Sequence, residues 1–174
     1  MKKWLSFVLL FAALLMTNVL ASCGDDDNNE TTTVAGTYTG TDSLHFGMGT
    51  MAYKVAAKDV KYVVTENSDK SINVTFPEET YDFTTTVSMV GKIVQGSYTV
   101  KNIPYDSTLK AYYLDYSNKA NAHVSISGMK IDKDYDVTLG QITVTFTGST
   151  MTVINIHKFG GMPMPLTATY KGTK

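Results

Sequence analysis

The chain contains no arginine, one cysteine, one tryptophan and three histidines among its 174 residues. Each scarcity closes off a class of protein. Without arginine there is no planar fork to grip phosphate or carboxylate in a bidentate manner. With 15 basic residues, all lysine, against 16 acidic ones, the net charge of −1 provides no basic face for nucleic acid. A lone cysteine excludes a disulfide framework and a cysteine-built zinc site. His45, His123 and His157 fall on three separate segments, where an isolated histidine on a strand usually finds a local hydrogen bond rather than a metal or a catalytic partner. Gly-x-Ser-x-Gly and P-loop patterns are missing too, and Phe159-Gly160-Gly161 has no Lys-Ser/Thr after it.

What is present begins with an address. Met1-Lys2-Lys3-Trp4 precedes an apolar run from Leu5 to Leu20, the pattern of a secretory signal peptide. The run is shorter than the ~20 residues that span a bilayer and is broken by Ser6, Thr17 and Asn18. Leu20-Ala21-Ser22-Cys23 resembles the lipobox of bacterial lipoproteins, and the resemblance implies that Cys23 is lipidated and becomes the new N-terminus. Two or more acyl chains would then anchor the protein to a membrane without a spanning segment. Gly24 to Thr33 is acidic and polar, with nothing to bury, and reads as a disordered tether. Its acidic run resembles the surface-export signal of lipoproteins in Bacteroides-type bacteria. The expected organisation is therefore a signal peptide over 1–22, a lipidated cysteine and tether over 23–33, and one domain over 34–174. Losing Lys2 and Lys3 with no acid makes the remaining chain more acidic.

The domain reads as strands. Ile72-Asn73-Val74-Thr75-Phe76, Tyr81-Asp82-Phe83-Thr84, Tyr98-Thr99-Val100-Lys101 and Leu166-Thr167-Ala168-Thr169-Tyr170 alternate with period two, and no apolar pattern at helical spacing exceeds about two turns. Its 25 threonines and 11 tyrosines suit a pleated surface. The clearest hairpin is Ile142 to Ile156 around Gly148-Ser149. That turn pairs Phe146 with Met151, Val144 with Val153 and Ile142 with Asn155 on an inward face, leaving a threonine ladder outside. About eight to ten strands are expected from runs near 35–41, 44–56, 59–66, 71–76, 80–89, 94–103, 109–116, 122–130, 135–147, 150–157 and 165–171. Short strands joined by brief turns suggest an all-β, antiparallel, up-and-down barrel, since closure removes exposed edges. Gly36 to Gly40 and Thr169 to Gly172 rhyme, and are expected to pair as first and last strands.

Ala35-Gly36-Thr37-Tyr38-Thr39-Gly40 after a lipobox and acidic tether resembles the calycin-like β-barrel lipoproteins of Bacteroides-type bacteria. Gly96 to Val100, Ile142 to Gly148 and Met164-Pro165-Leu166 carry the likeness onward. The resemblance implies a lipocalin-like barrel more firmly than any activity. The lipocalin Gly-x-Trp is missing near the first strand, and the only tryptophan, Trp4, lies in the signal.

Candidate chemistry is sparse. Asp132-Lys133-Asp134-Tyr135-Asp136 begins like a calcium loop but has Val137 and Thr143 where Gly and Glu are required, so it reads as a charged turn. Glu78 and Glu79 are neighbours after Pro77 and cannot face each other across a glycosidic bond. Asp42-Ser43-Leu44 and Asp106-Ser107-Thr108 resemble O-glycosylation sites of such bacteria. The strongest polar-aromatic feature is Tyr105, Tyr112, Tyr113 and Tyr116 with Asp106 and Asp115 beside them, because tyrosine stacks on sugar faces while its hydroxyl stays wet. Tyr105, Tyr112 and Tyr116 are the candidate ligand-binding residues. Met48, Met51, Met162 and Met164 read as core or cap filler before they read as a binding surface. The inward set is expected to include Phe46, Tyr53, Phe76, Phe83, Val144 and Phe146.

The resulting expectation is a non-enzymatic lipoprotein at the outer membrane, facing the cell surface, with no cofactor and no metal. Its partners are the membrane, through Cys23, and a small hydrophobic ligand or glycan held by the barrel. The alternative is a packed barrel serving as a structural or protein-interaction module, such as an inhibitor or adhesin component, with a surface protein as partner.

Overall fold

The computed structural model describes residues 33–48 and 51–174. Cys23, the signal segment and all of the tether except Thr33 lie outside the described residues. Twelve strands are described, above the expected eight to ten: β1 (Gly36–Met48), β2 (Met51–Glu66), β3 (Ile72–Phe76), β4 (Glu79–Asp82), β5 (Lys92–Gln95), β6 (Tyr98–Ile103), β7 (Tyr105–Asp106), β8 (Ala111–Asp115), β9 (Asn121–Ile126), β10 (Ile131–Thr147), β11 (Thr150–Phe159) and β12 (Leu166–Thr173). The helical content among the described residues is one 3₁₀ turn, Ser127–Met129.

All pairings are antiparallel, in one sheet ordered β4-β5-β9-β10-β11-β12-β1-β2-β3-β6, with β7 and β8 joined to it through β10. The sheet curls into a half-barrel. The first and last strands meet as the glycine rhyme implies: β1 pairs with β12, and Gly40 lies opposite Gly172. A Cβ on Gly40 would come within 2.0 Å of the Lys171 carbonyl oxygen, so the close approach of these strands depends on a bare backbone. The β10–β11 hairpin has the expected register, with Phe146 opposite Met151 and Val144 opposite Val153. Gly148 turns it with φ +57°.

The runs 35–41 and 44–56 are divided differently from the sequence reading. β1 continues to Met48, and residues 51–66 form one strand rather than two. The cause is a bulge: Gly40 pairs with Val60 but Asp42 with Ala57, so β2 carries an extra residue, and Asp59 has φ +58°. Beyond the bulge the inward parity of β2 changes from Tyr53, Val55 and Ala57 to Val60, Tyr62 and Val64. The charged run Asp132–Asp136 is a further correction. It is strand rather than turn, paired residue by residue with β9.

Inside, the core is aromatic. Tyr62 stacks on Tyr170 at 3.9 Å between centroids, and Phe76 on Tyr98 at 4.6 Å. Phe76, Phe83 and Val144 are buried, while Phe46, Tyr53 and Phe146 pack against the core partly buried. A seam runs beside β4, which ends the sheet. The backbone of β4 pairs only with β5, and its side chains reach across to β1 and β2.

Candidate functional site

At one end of the sheet an apolar cleft of about 450 Å³ opens to solvent. Its wall is built from strand parity. In β10, Ile131, Lys133 and Tyr135 share one face, and Asp132 and Asp134 take the other, where His123 holds both at 2.9 Å. Ile93 of β5, Ile126 of β9 and Leu166 of β12 add apolar surface, and Phe46 at the end of β1 joins them. Met162 and Met164, in the segment between β11 and β12, form the lip with Met129, which is 51% exposed. Among the described residues of the wall Lys133 is the only charged one, and its ammonium sits 4.8 Å from the Tyr135 ring centre. A volume of this size lies in the range of small-molecule sites, roughly 300–1,000 Å³.

The interior behind the cleft is packed with buried side chains, and several of them are polar. Asp42 of β1 and Glu79 of β4 are both buried. The Tyr62 hydroxyl donates to Asp42 Oδ2 at 2.7 Å, and the Tyr81 hydroxyl lies 2.8 Å from the same oxygen while also touching Glu79 Oε2. The remaining oxygens, Asp42 Oδ1 and Glu79 Oε1, are buried without a donor. Burial and the neighbouring charge of Asp42 push the Glu79 carboxyl up to about 8. A second cluster adjoins it: the Tyr116 hydroxyl donates to Asn155 Oδ1 at 2.6 Å, and Asn155 Nδ2 donates to the Tyr98 hydroxyl at 2.8 Å. His157 completes the layer, with Nε2 3.1 Å from Gln95 Oε1 and Nδ1 3.3 Å from the Asn155 carbonyl. Burial lowers its pKa to about 4, so it is neutral at physiological pH.

Of the candidate tyrosines, two come together and one does not. Tyr105 is 54% exposed and meets Tyr112 edge-on at 5.3 Å between centroids. Tyr116 is 1% exposed and faces the interior, its ring filling the space over Gly140. A three-tyrosine exposed platform is therefore not formed. The histidines do not assemble either: His157 is buried, His123 is held by Asp132 and Asp134, and His45 lies exposed opposite Lys54. Among the described residues no group of three or more His, Cys, Asp or Glu is placed to hold a metal ion. Asp42 is wholly buried inside a strand paired on both sides, whereas Asp106-Ser107-Thr108 begins the turn into β8, where Asp106 Oδ1 accepts from two backbone amides.

Sequence reasoning misses the Asp42–Glu79 pair. The signal that could have found it is parity: Asp42 shares its face with Tyr38, Leu44 and Phe46, and Glu79 shares its face with Tyr81 and Phe83. Met162 and Met164, expected as core or cap filler, are the lip of the cleft.

A family model for the calycin-like beta-barrel domain matches residues 34–173. No curated protein matches the chain. Among solved structures, the chain is similar to a candidate outer membrane protein from Bacteroides fragilis NCTC 9343, at 23% identity and a TM-score of 0.50. The match covers 81% of this chain and 51% of that one, so this chain spans about half the length of that protein, and the likeness is one of fold.

Proposed function

The chain belongs to the calycin-like β-barrel domain family, and on that footing we propose that it is a non-enzymatic binding module that takes a small apolar ligand in the cleft at the end of its sheet. The observation that carries this reading is the cleft itself: about 450 Å³, apolar apart from Lys133, and open to solvent. The site differs from a ligand chamber at the barrel centre, because the centre is occupied by Tyr62, Tyr81, Tyr98, Tyr116 and their hydrogen-bonded partners. Methionines at the lip suit a ligand of variable shape, since their side chains are unbranched and repack easily. Lys133 supplies one cation to an otherwise apolar wall and favours a ligand with an anionic end. A non-enzymatic role is supported by placement: Asp42, Glu79 and His157 all sit in the packed interior, and none lines the cleft.

The protein is read as an outer-membrane lipoprotein facing the cell surface and anchored through Cys23. The lipobox residues Leu20 to Cys23, the acidic run after them, and the likeness in fold to a candidate outer membrane protein support that location. The filled interior favours one further reading, a protein-interaction module that uses its surface alone.

The test is a fluorescence titration of the Cys23→Ala protein with an anionic, environment-sensitive apolar dye, followed by displacement with long-chain carboxylates. Saturable binding is expected. Ile131→Glu and Met164→Glu should each weaken it at least tenfold while leaving the circular dichroism spectrum intact. Binding that these substitutions leave unchanged would remove the cleft as the site, and no saturable binding would favour the interaction module.

A further inference from the structure

Among the described residues, the donors that reach the buried acid cluster are too few for two ionised carboxylates. Tyr62 and Tyr81 have one hydroxyl proton each. Tyr62 gives its proton to Asp42 Oδ2. Tyr81 contacts both Asp42 Oδ2 and Glu79 Oε2, but it can donate to only one of them. Two more carboxyl oxygens, Asp42 Oδ1 and Glu79 Oε1, are buried with no donor at all. Two adjacent carboxylates buried this deeply would repel each other strongly and leave lone pairs unsatisfied.

Among the described residues, the groups facing the pair include no cation to offset this. Asp42 comes from β1, Tyr62 from β2 and Tyr81 from β4 itself. Tyr98 of β6 and Tyr170 of β12 act on it from further off, as does His157 of β11, which burial keeps neutral. A divalent cation would favour further charged ligands beyond two carboxylates, and among the described residues no third His, Cys, Asp or Glu joins the pair. A proton needs none.

The location gives that proton a mechanical role. β4 is the terminal strand of the sheet, paired through its backbone only to β5. Its polar attachment to the opposite wall runs through Tyr81 and Glu79 to Asp42. We propose that the Asp42–Glu79 pair holds a single proton, on Glu79, and that this proton is a clasp fastening β4 to β1 and β2, so that its loss loosens the β4–β5 hairpin. While it is bound, one carboxylic acid and one carboxylate are bridged by Tyr81. When it leaves to solvent hydroxide, two like charges face each other across the seam. Val90 in the loop of that hairpin and Ile93 in its β5 strand line the cleft, so loosening would also release a ligand held there. Ligand release rests on the proposed binding function; the strand's loosening does not.

Amide hydrogen exchange in the full chain, expressed as protection factors at pH 6 and pH 9, reads the clasp without any ligand. Residues 79–95 of the wild type should lose at least tenfold in protection between the two pH values and at pH 9 should stand well below β1, β11 and β12, which fall only as far as global stability falls. Glu79→Gln, which cannot ionise, should keep protection at both. Asp42→Asn, which removes the like charge while leaving Glu79, should shrink the loss and covers the case in which Glu79→Gln fails to fold. Equal protection of residues 79–95 at both pH values would overturn the clasp, as would residues 79–95 remaining as protected as β1, β11 and β12 at pH 9. Restoration of protection at pH 9 by millimolar Mg²⁺ or Ca²⁺ would overturn it too, since the occupant would then be a metal ion.

Discussion

Replacing Glu79 by glutamine gives a stability change whose sign and size follow from the fold. The amide keeps the shape of the side chain and cannot ionise. Glu79 is 3% exposed, and burial with the neighbouring Asp42 charge raises its pKa from 4.5 to about 8. The folded protein therefore holds the proton more tightly than the unfolded chain does. Its contribution to stability is full below pH 4.5, falls as pH rises towards 8, and is gone above that. At about 1.4 kcal/mol per pH unit the whole decline amounts to about 5 kcal/mol. His157 works with the opposite sign. Burial lowers its pKa from 6.5 to about 4, so its contribution is present above pH 6.5 and is lost as pH falls, by about 3 kcal/mol. Between pH 4.5 and 6.5 the two slopes oppose each other. Above 6.5 the Glu79 slope is the one that a buried group supplies, and through it the wild type should lose about 2 kcal/mol by pH 8. His123, raised above its ordinary value by its bonds to Asp134 and Asp132, adds the same shallow fall to both proteins and cancels in their difference. Urea unfolding followed by circular dichroism at half-unit steps from pH 6 to 9 measures this directly. A steep fall for the wild type and a much shallower one for Glu79→Gln are expected, with the variant the more stable above pH 8. A level wild-type profile, or the same slope in both proteins, would refute the buried-proton reasoning.

Three other outcomes rest on particular residues. Gly140→Ala places a methyl group 2.6 Å from the Tyr116 ring and should cost about 1–3 kcal/mol by overpacking, read as a lower urea midpoint at unchanged m. Tyr116→Phe removes the hydroxyl that donates to Asn155 Oδ1 and should cost about 1–3 kcal/mol, because the buried amide oxygen is left without that donor. Adding Asn155→Leu should recover part of the loss; no recovery would argue that the cost lies elsewhere. Cys23→Ala should leave the far-ultraviolet circular dichroism of the domain unchanged while moving the protein from the membrane fraction to the soluble one, and retention in the membrane would refute the anchor.

How much of the molecule is legible in its sequence depends on how local the determining physics is. The β10–β11 hairpin is readable to the residue because a two-residue turn at Gly148-Ser149 fixes register, and register fixes every face. The meeting of β1 with β12 is readable because two glycine-bounded segments need partners at the chain's extremes. The single strand β2 is not, because an extra residue at the bulge near Asp59 breaks its period-two pattern and makes one strand look like two. Nearness in sequence groups Tyr116 with Tyr105 and Tyr112, yet its backbone amide bonds to the Gly140 carbonyl after β8 has ended. That turn carries its ring inward over the glycine.

By itself the sequence determined an all-β, antiparallel domain, the faces of its best hairpin, and the pairing of its ends, because alternation and turn chemistry act over a few residues. Only the tertiary structure decided that Asp42 and Glu79, on strands that are not backbone neighbours, share one buried seam. It alone decided that Ile131, Lys133, Met162 and Leu166 border one cleft. Both are products of sheet curvature, which brings together residues far apart in the chain and leaves no periodic trace in the order of amino acids.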